Sequence, residues 1–448
     1  MVDWAKPPQE PAVSAISVDG YKCISHERRI ELRPLTVLAG ANSSGKSSIM
    51  QPLLLLKQTL EAPFDPGALL LDGPNVRFTS AEQLLSQCPA PRSSSFSVTF
   101  ELNDGSVVRL RFKRVPGAGI DIEELVHEKG GRKTRIHPLM KAEEIEETLP
   151  PELTGLRDRH PGGAPVGLDW AVQRDRCFLS VRLQRTGVTN GGSVLGLGLV
   201  RPAAIDALGS AIKHVIHLPG LRGNPARTYA ATAVGKSFPG TFETYVASIV
   251  SHWQSTKDDR LKLLGNDLMR LGLTWKVAAK SLDDTRVELR VGRLPRSSRG
   301  GAQDLVSIAD VGFGVSQTLP VLVALLSALP GQIVYLEQPE IHLHPRAQRR
   351  LAHVLADAAR RGVSVVVETH SALLLRGIQT LVVQEKVAPS TVKLHWFQRE
   401  RTTGATEVTS ADLDADGAFG GWPEDFDDVA LDAEREYLDA IELRGAAS

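Results

Sequence analysis

The stretch LTVLAGANSSGKSSIM, residues 35–50, constrains this chain more than any other. Gly40 to Ser47 spell G-x-x-x-x-G-K-S, with an apolar β-branched run before them and a leucine-rich segment after them. That is the strand–loop–helix setting a phosphate-binding loop requires, and a chance Gly/Ser-rich turn would lack it. Gly40 and Gly45 let the backbone bend so that the N–H groups of Ala41, Asn42, Ser43 and Ser44 turn inward around an anion. A helix starting near Lys46 points its positive end at the same place. Lys46 supplies a mobile cation for the β- and γ-phosphates, and the Ser47 hydroxyl can ligate Mg²⁺. The expected ligand of Gly40–Ser48 is therefore ATP with Mg²⁺. LTVLAG has the continuous apolar character of a buried parallel strand. Residues 46–61 hold no Gly and one Pro, Pro52, near the start of the expected helix.

Composition narrows the setting. A chain of 448 residues can form two or three domains, or one domain with a large insertion. Its longest apolar run, LPVLVALLSALPG, falls short of the roughly 20 residues that cross a bilayer, so no membrane role is expected. Cys23, Cys88 and Cys177 are too scattered for a disulfide framework or a zinc cluster, which suits a reducing cytosol. The N-terminal segment shows no secretory pattern. The zero net charge hides an asymmetry: residues 411–448 hold twelve acidic side chains against two Arg, leaving the rest basic. A basic body with an acidic tail is compatible with nucleic-acid or protein partners.

Texture along the chain suggests four segments. Residues 1–92 carry the loop and the first part of an α/β core. Residues 93–301 read as an antiparallel β-subdomain and a variable helical insertion. SFSVTFELNDGSVVRLRFKRV alternates around Asn103-Asp104-Gly105 as a hairpin does. The loop HLPGLRGNPARTY holds Arg222 and Arg227, and TRVELRVG reads as a strand. Residues 302–400 return to α/β texture, and 401–448 form an acidic C-terminal module. In the third segment QIVYLE and VSVVVETH are strands, and Pro345 opens a helix whose Ala347, Leu351, Val354, Leu355 and Ala358 share one face, closed by Gly362.

Three further constellations accompany the loop. IVYLEQPEIHLHP ends a buried strand in Glu337, placed to hold Mg²⁺ together with Ser47. Gln338 and Glu340 follow as candidates for work on the attacking water. VSVVVETHS ends in His370, placed to reach a γ-phosphate. ADVGFGVSQTLPVL puts Gly312, Gly314, Ser316 and Gln317 at the start of an apolar helix, a second anion-binding geometry. One nucleotide does not need two cradles, so the second is expected to serve a neighbouring subunit.

This order of motifs resembles ATP-binding-cassette ATPases, and more closely the branch with RecF, the SMC proteins and the ATPase half of overcoming-lysogenization-defect nucleases. The phrases at 38–58, 310–323, 337–345 and 368–371 resemble a set of bacterial AAA-family ATPases, as does WPEDFDD at 422–428. The resemblance implies an α/β P-loop NTPase head: a mixed-sheet core with an antiparallel β-subdomain. It implies a head-to-tail homodimer or higher homo-oligomer closing on two ATPs, in a defence or DNA-repair complex with a separate nuclease-like effector. Two departures stand out. Gly312 lies near the place of the signature serine. Gln338 stands where many relatives carry the glutamate that polarises water, and an amide orients water without taking its proton. Slow hydrolysis is the expectation.

Two other readings compete. A transporter ATPase would not explain the long β-rich insertion or the altered signature. A metal-dependent nuclease could use Asp414 and Asp416, but too little chain follows His370 for the additional domain such nucleases carry.

Overall fold

The computed structural model describes residues 11–87, 93–117, 119–149, 168–185, 201–294, 304–420 and 435–436. Strands β1 (Val13–Asp19) and β2 (Arg28–Glu31) precede β3 (Leu35–Gly40), which runs into helix α1 (Lys46–Glu61). A meander follows: β4 (Ser95–Leu102), β5 (Val107–Val115), β6 (Gly119–Lys129) and β7 (Arg132–Ile136). Next come α2 (Ala142–Thr148), the hairpin β8 (Leu168–Asp175) and β9 (Phe178–Arg185), α3 (Ala203–Lys213), β10 (Ile216–Leu218) and β11 (Tyr229–Ala230). Helices α4 (Val246–Ser255) and α5 (Asp259–Leu271) lead to β12 (Val277–Ser281), β13 (Arg286–Gly292) and β14 (Leu305–Ser307). There follow α6 (Phe313–Ser327), β15 (Ile333–Glu337), α7 (Pro345–Arg360), β16 (Ser364–Thr369), α8 (Ala372–Val383), β17 (Val392–Arg399) and β18 (Thr406–Asp412).

The central sheet has the order β10-β15-β16-β3-β17-β18. Its first five strands are parallel and β18 returns antiparallel to β17. Each central strand is apolar on both faces because each face meets a different core. Leu35, Val37, Ala39, Leu336 and Val367 face the core built with α6 and α7, while Leu38, Tyr335 and Val366 face the core shared with α1. The stripe read from α7 is buried as its spacing requires: Ala347, Leu351, Val354, Leu355 and Ala358 all point inward. Pro345 sits in its first turn, and Gly362 just past its end has φ +86°.

A second sheet, β2-β1-β4-β5-β6-β7, is antiparallel throughout and packs over α1. The hairpin expected around Asn103-Asp104-Gly105 is β4–β5. The expected segments interleave in space. β1 pairs with the meander and carries β2 on its other side, β10 joins the central sheet beside β15, and β18 completes that sheet. A smaller sheet holds β11, β13 and β12, with β14 on β13. The fold is thus mixed α/β with a separate antiparallel sheet, as expected. WPEDFDD lies outside the described residues.

Candidate functional site

The loop between β3 and α1 is built around its two glycines. Gly40 has φ +138°, and a Cβ there would stand 2.0 Å from the Phe397 carbonyl oxygen of β17. Gly45 has φ +104°, and a Cβ there would meet Thr406 Oγ1 at 2.3 Å and Cys23 Sγ at 3.0 Å. The neighbouring strands brace the loop from outside. Thr406 Oγ1 donates to the Ser44 carbonyl at 2.9 Å, and Arg399 Nε to the Ser43 carbonyl at 2.7 Å. Gly45 is the N-cap of α1 and offers no side-chain acceptor, so the first N–H groups of the helix lack a capping partner. That is the condition under which a helix start takes an anion. Lys46 folds back over the loop, its Nζ donating to the carbonyls of Gly40 (3.0 Å) and Ala41 (2.7 Å). Burial lowers its pKa, against the opposing charge of Glu368. A triphosphate would replace those carbonyls as its partners.

A cavity of about 550 Å³ opens on the loop and is lined by Asn42–Ser48, Lys22, Cys23, Gln51 and Arg399 at one end. Gln338, Glu368 and His370 line the other. These last three come from the C-terminal ends of β15 and β16, the ends next to the loop in a parallel sheet. His370 has its pKa lowered by burial and by the Lys46 charge, so near neutral pH its ring is uncharged. Gln338 has a left-handed φ of 44°, unusual for a residue with a side chain, and its N–H donates to the Glu368 carbonyl at 2.9 Å.

The carboxylates of the site sit in three different environments. Glu368 is 4% exposed; Tyr335 OH donates to its Oε1 at 2.6 Å and Ser47 Oγ to its Oε2 at 3.0 Å. Burial, then the charge of Glu337, push its pKa up to about 7. Glu337 is the register partner of Glu368 on β15. Burial would raise it too, but the His217 ring and the Gly220 N–H hold it below the usual carboxylate range. Glu340 lies under the histidine: Oε1 accepts from Thr369 Oγ1 (2.5 Å) and from the His370 N–H (3.1 Å). Its Oε2 is buried without a partner, and burial raises its pKa.

Of the expected residues, the structure brings together the loop, Gln338 and His370 around one cavity, with Glu340 behind His370. Ser47 meets Glu368, while Glu337 turns toward β10. Gly312, Gly314, Ser316 and Gln317 lie outside that cavity. Gly312 is the N-cap of α6, Ser316 Oγ donates to the Phe313 carbonyl at 3.1 Å, and the Gln317 amide donates to the Gly223 carbonyl at 3.1 Å. Asp414 closes a turn by accepting the Ala418 N–H at 2.8 Å. Among the described residues no group of three or more His, Cys, Asp and Glu is arranged to hold a metal ion, and no helix is long and apolar enough to cross a membrane.

Three residues of the site received no role from the sequence. Glu368 was visible as a carboxylate inside VVVETH, an otherwise apolar strand. His217 carries no sequence signal. Arg222 stood in a Gly/Pro-rich loop; it is buried and spans the carbonyls of Gln317 (3.2 Å) and Glu337 (2.9 Å), joining α6 to β15.

Comparison with known proteins gives the following. The chain matches no curated protein sequence. Solved structures similar to it include an SMC head bound to the C-winged helix domain of ScpA, at 12% identity and TM-score 0.47, covering 90% of this chain and 98% of that one. The SMC head domain from Thermotoga maritima is similar at 12% identity and TM-score 0.39, covering 90% of this chain and 100% of that one. The Pyrococcus furiosus Smc head, with an extended coiled coil and bound to the C-terminal domain of ScpA, is similar at 12% identity and TM-score 0.44, covering 96% and 100%. A family described as "AAA domain, putative AbiEii toxin, Type IV TA system" matches residues 35–164 and 269–376, more than half of the chain. Those two blocks contain the phosphate loop, the start of α6 and the ends of β15 and β16, and the chain belongs to this family of AAA-domain ATPases.

Proposed function

We propose that the protein binds and slowly hydrolyses ATP, and that the bound nucleotide gates its self-association within a defence or DNA-repair assembly whose effector is a separate, nuclease-like protein. The observation that carries this reading is the convergence of Asn42–Ser48, Gln338, Glu368 and His370 on one cavity. The toxin–antitoxin description of the family supports the defence setting. Bound Mg²⁺ would neutralise developing charge on the phosphates, with Ser47 and a strand-end carboxylate as its protein partners. The loop N–H groups and Lys46 hold the triphosphate, and neutral His370 is placed to donate to the γ-phosphate. In hydrolysis a water oxygen forms a bond to the γ-phosphorus while the bond to the β–γ bridging oxygen breaks; ADP leaves with that electron pair, and the water's proton passes to an oxygen of the departing phosphate. Gln338 orients that water but cannot accept its proton, which slows the step. In a head-to-tail pair the start of α6, with Gly312, Gly314, Ser316 and Gln317, would close on the partner's nucleotide.

The test is nucleotide binding, self-association and turnover on three proteins. Wild type is expected to bind ATP and shift toward a dimer or larger oligomer. Lys46→Ala is expected to lose at least 100-fold in affinity and all of the shift. Gln338→Glu should raise turnover by roughly 100-fold or more, the low end of a general-base contribution. A wild-type protein whose association state ignores ATP would overturn the gating.

A further inference from the structure

The outer face of α7 and α8 carries charge that its own residues do not offset. Residues 345–356 and 372–383 hold Arg346, Arg349, Arg350 and Arg376 and no acidic side chain. Arg346, Arg349 and Arg376 are exposed, and Arg350 Nη1 donates to the Arg270 carbonyl at 2.8 Å. The two helices touch where Gly377 meets Arg349: a Cβ at Gly377 would stand 2.5 Å from the Arg349 carbonyl oxygen. That close crossing brings Arg349 and Arg376 to one surface. Along α8 the exposed positions Leu373, Arg376, Thr380 and Val383 recur at helical spacing and form one stripe. Leu373 is 39% and Val383 57% exposed, and the helical rise sets them about 15 Å apart. The stripe is apolar at both ends and cationic between them.

The chain itself arrives at this stripe. Leu413 and Phe419 are buried, and the turn between them rests on α8. Gln379 Nε2 donates to the Gly417 carbonyl at 2.9 Å, and a Cβ at Gly417 would lie 3.0 Å from Val383 Cγ2. The segment 421–448 follows directly, with nine acidic side chains against two Arg. Leu431, Leu438 and Ile441 recur among those acids at helical spacing. Even wound as a helix, the segment would reach about 42 Å, ample to cover the stripe. A nucleic-acid backbone would answer the arginines and leave Leu373 and Val383 unmatched. An acidic chain with spaced apolar side chains answers both.

We propose that the acidic segment 421–448 docks within its own chain along the α8 stripe from Val383 to Leu373, its carboxylates over Arg376, Arg349 and Arg346. The seat lies behind the nucleotide cavity: α8 starts directly after His370, and Ser371 Oγ donates to Gln348 Oε1 of α7 at 2.8 Å. Docking there does not depend on nucleotide binding, so either can fail without the other.

Zero-length carbodiimide crosslinking of the full chain, read by mass spectrometry, tests the seat. Arg349→Lys and Arg376→Lys, made singly, keep the charge and supply an amine there. Each amine is expected to join carboxylates of residues 424–442 at a yield at least fivefold above that of Lys262, which is exposed on α5. The Lys393–Asp412 pair, 2.9 Å apart in the central sheet, gives the yield of a fixed contact in every sample. In about 1 M salt, where the screening length falls to about 3 Å, the segment's crosslinks should drop at least fivefold relative to that pair. Mixing isotopically labelled and unlabelled protein separates crosslinks within a chain from those between chains. Crosslinks found only between chains would give the face to a second copy and overturn the proposal. So would an absence of crosslinks to the segment, an equal yield at Lys262, or a yield that salt leaves unchanged. Lys386, exposed three residues beyond Val383, supplies the same readout in the unaltered chain, so the outcome does not hang on either variant folding.

Discussion

Helices α1 and α6 both begin at glycines, and the two starts are built on opposite terms. At α1 the chain itself demands the glycines: a side chain at Gly40 would strike the Phe397 backbone and one at Gly45 would strike Thr406 and Cys23. At α6 it does not. Gly312 has an ordinary φ of −62°, and a Cβ there meets nothing within 4 Å; at Gly314 the nearest atom would be 3.4 Å away, an ordinary contact. Phe313 between them is 51% exposed. One start is closed against strands of its own sheet, and the other leaves room for a side chain at both glycines. A glycine that its own fold does not need is free to answer to something outside it, which is the physical basis for assigning the start of α6 to a partner's nucleotide. Arg222 ties α6 to the end of β15 through the carbonyls of Gln317 and Glu337.

The largest expected effect tests the closed start. Gly40→Ala adds a Cβ against a backbone atom that belongs to a parallel strand pair and cannot swing aside. The cost should exceed about 4 kcal/mol, the range reserved for core and strain faults. Chemical denaturation should show a protein that is mostly unfolded or too unstable to bind ATP. A soluble Gly40→Ala protein of wild-type stability would break the contrast at its stronger end.

How much of this was legible in the sequence follows from the range of the forces involved. The closed start is a local feature: the glycine spacing, the apolar strand before it and the helix after it are contiguous, so Gly40–Ser47 could be read and its geometry found. The same holds for the stripe on α7 and the hairpin at Asn103-Asp104-Gly105. Lateral order was not legible. Nothing in IVYLEQPE or VVVETH says that β16 would insert between β15 and β3, or that Ser47 would donate to Glu368 of β16. His217 was invisible for the same reason, since β10 is three residues long and joins the sheet only through its pairing with β15. The interleaving of the expected segments has a like cause: β1 is near β3 in sequence, yet pairs with a meander that begins far later in the chain, and brings β2 with it.

A smaller effect sharpens the comparison through pH. His395 on β17, two residues before Phe397, is 1% exposed; its Nε2 lies 2.9 Å from the Glu31 carbonyl oxygen and its Nδ1 2.7 Å from Ser410 Oγ. Burial lowers its pKa to about 4, outweighing the Glu31 carbonyl that would raise it. The folded state therefore binds fewer protons than the unfolded chain between pH 6.5 and 4. The stability is fully present above the unfolded value and is lost as pH falls through that window, by about 3 kcal/mol for this one group. His395→Gln should flatten that part of the pH–stability curve relative to wild type. Because Phe397 of β17 packs against Gly40, hydrogen exchange near pH 5 should rise at residues 40–47 before it rises at 312–320. Simultaneous rise at both starts would mean that they are not braced separately.

The smallest expected effect on the fold is at the open start, and it is the most informative about it. Gly312→Ala places a methyl group in open space at a backbone angle any residue adopts, so the melting temperature should stay within about 1 °C of wild type. If Gly312 approaches a partner's phosphate through its backbone, the same methyl group intrudes where two chains would meet. ATP-dependent self-association should then weaken by tenfold or more, while ATP affinity at low protein concentration, where the chain is monomeric, stays unchanged. Equal association in wild type and Gly312→Ala, measured by sedimentation with saturating ATP, would return the start of α6 to an ordinary helix terminus. Loss of association with no loss of stability is the combination that only an external role for this glycine produces, since a merely structural one would move both together.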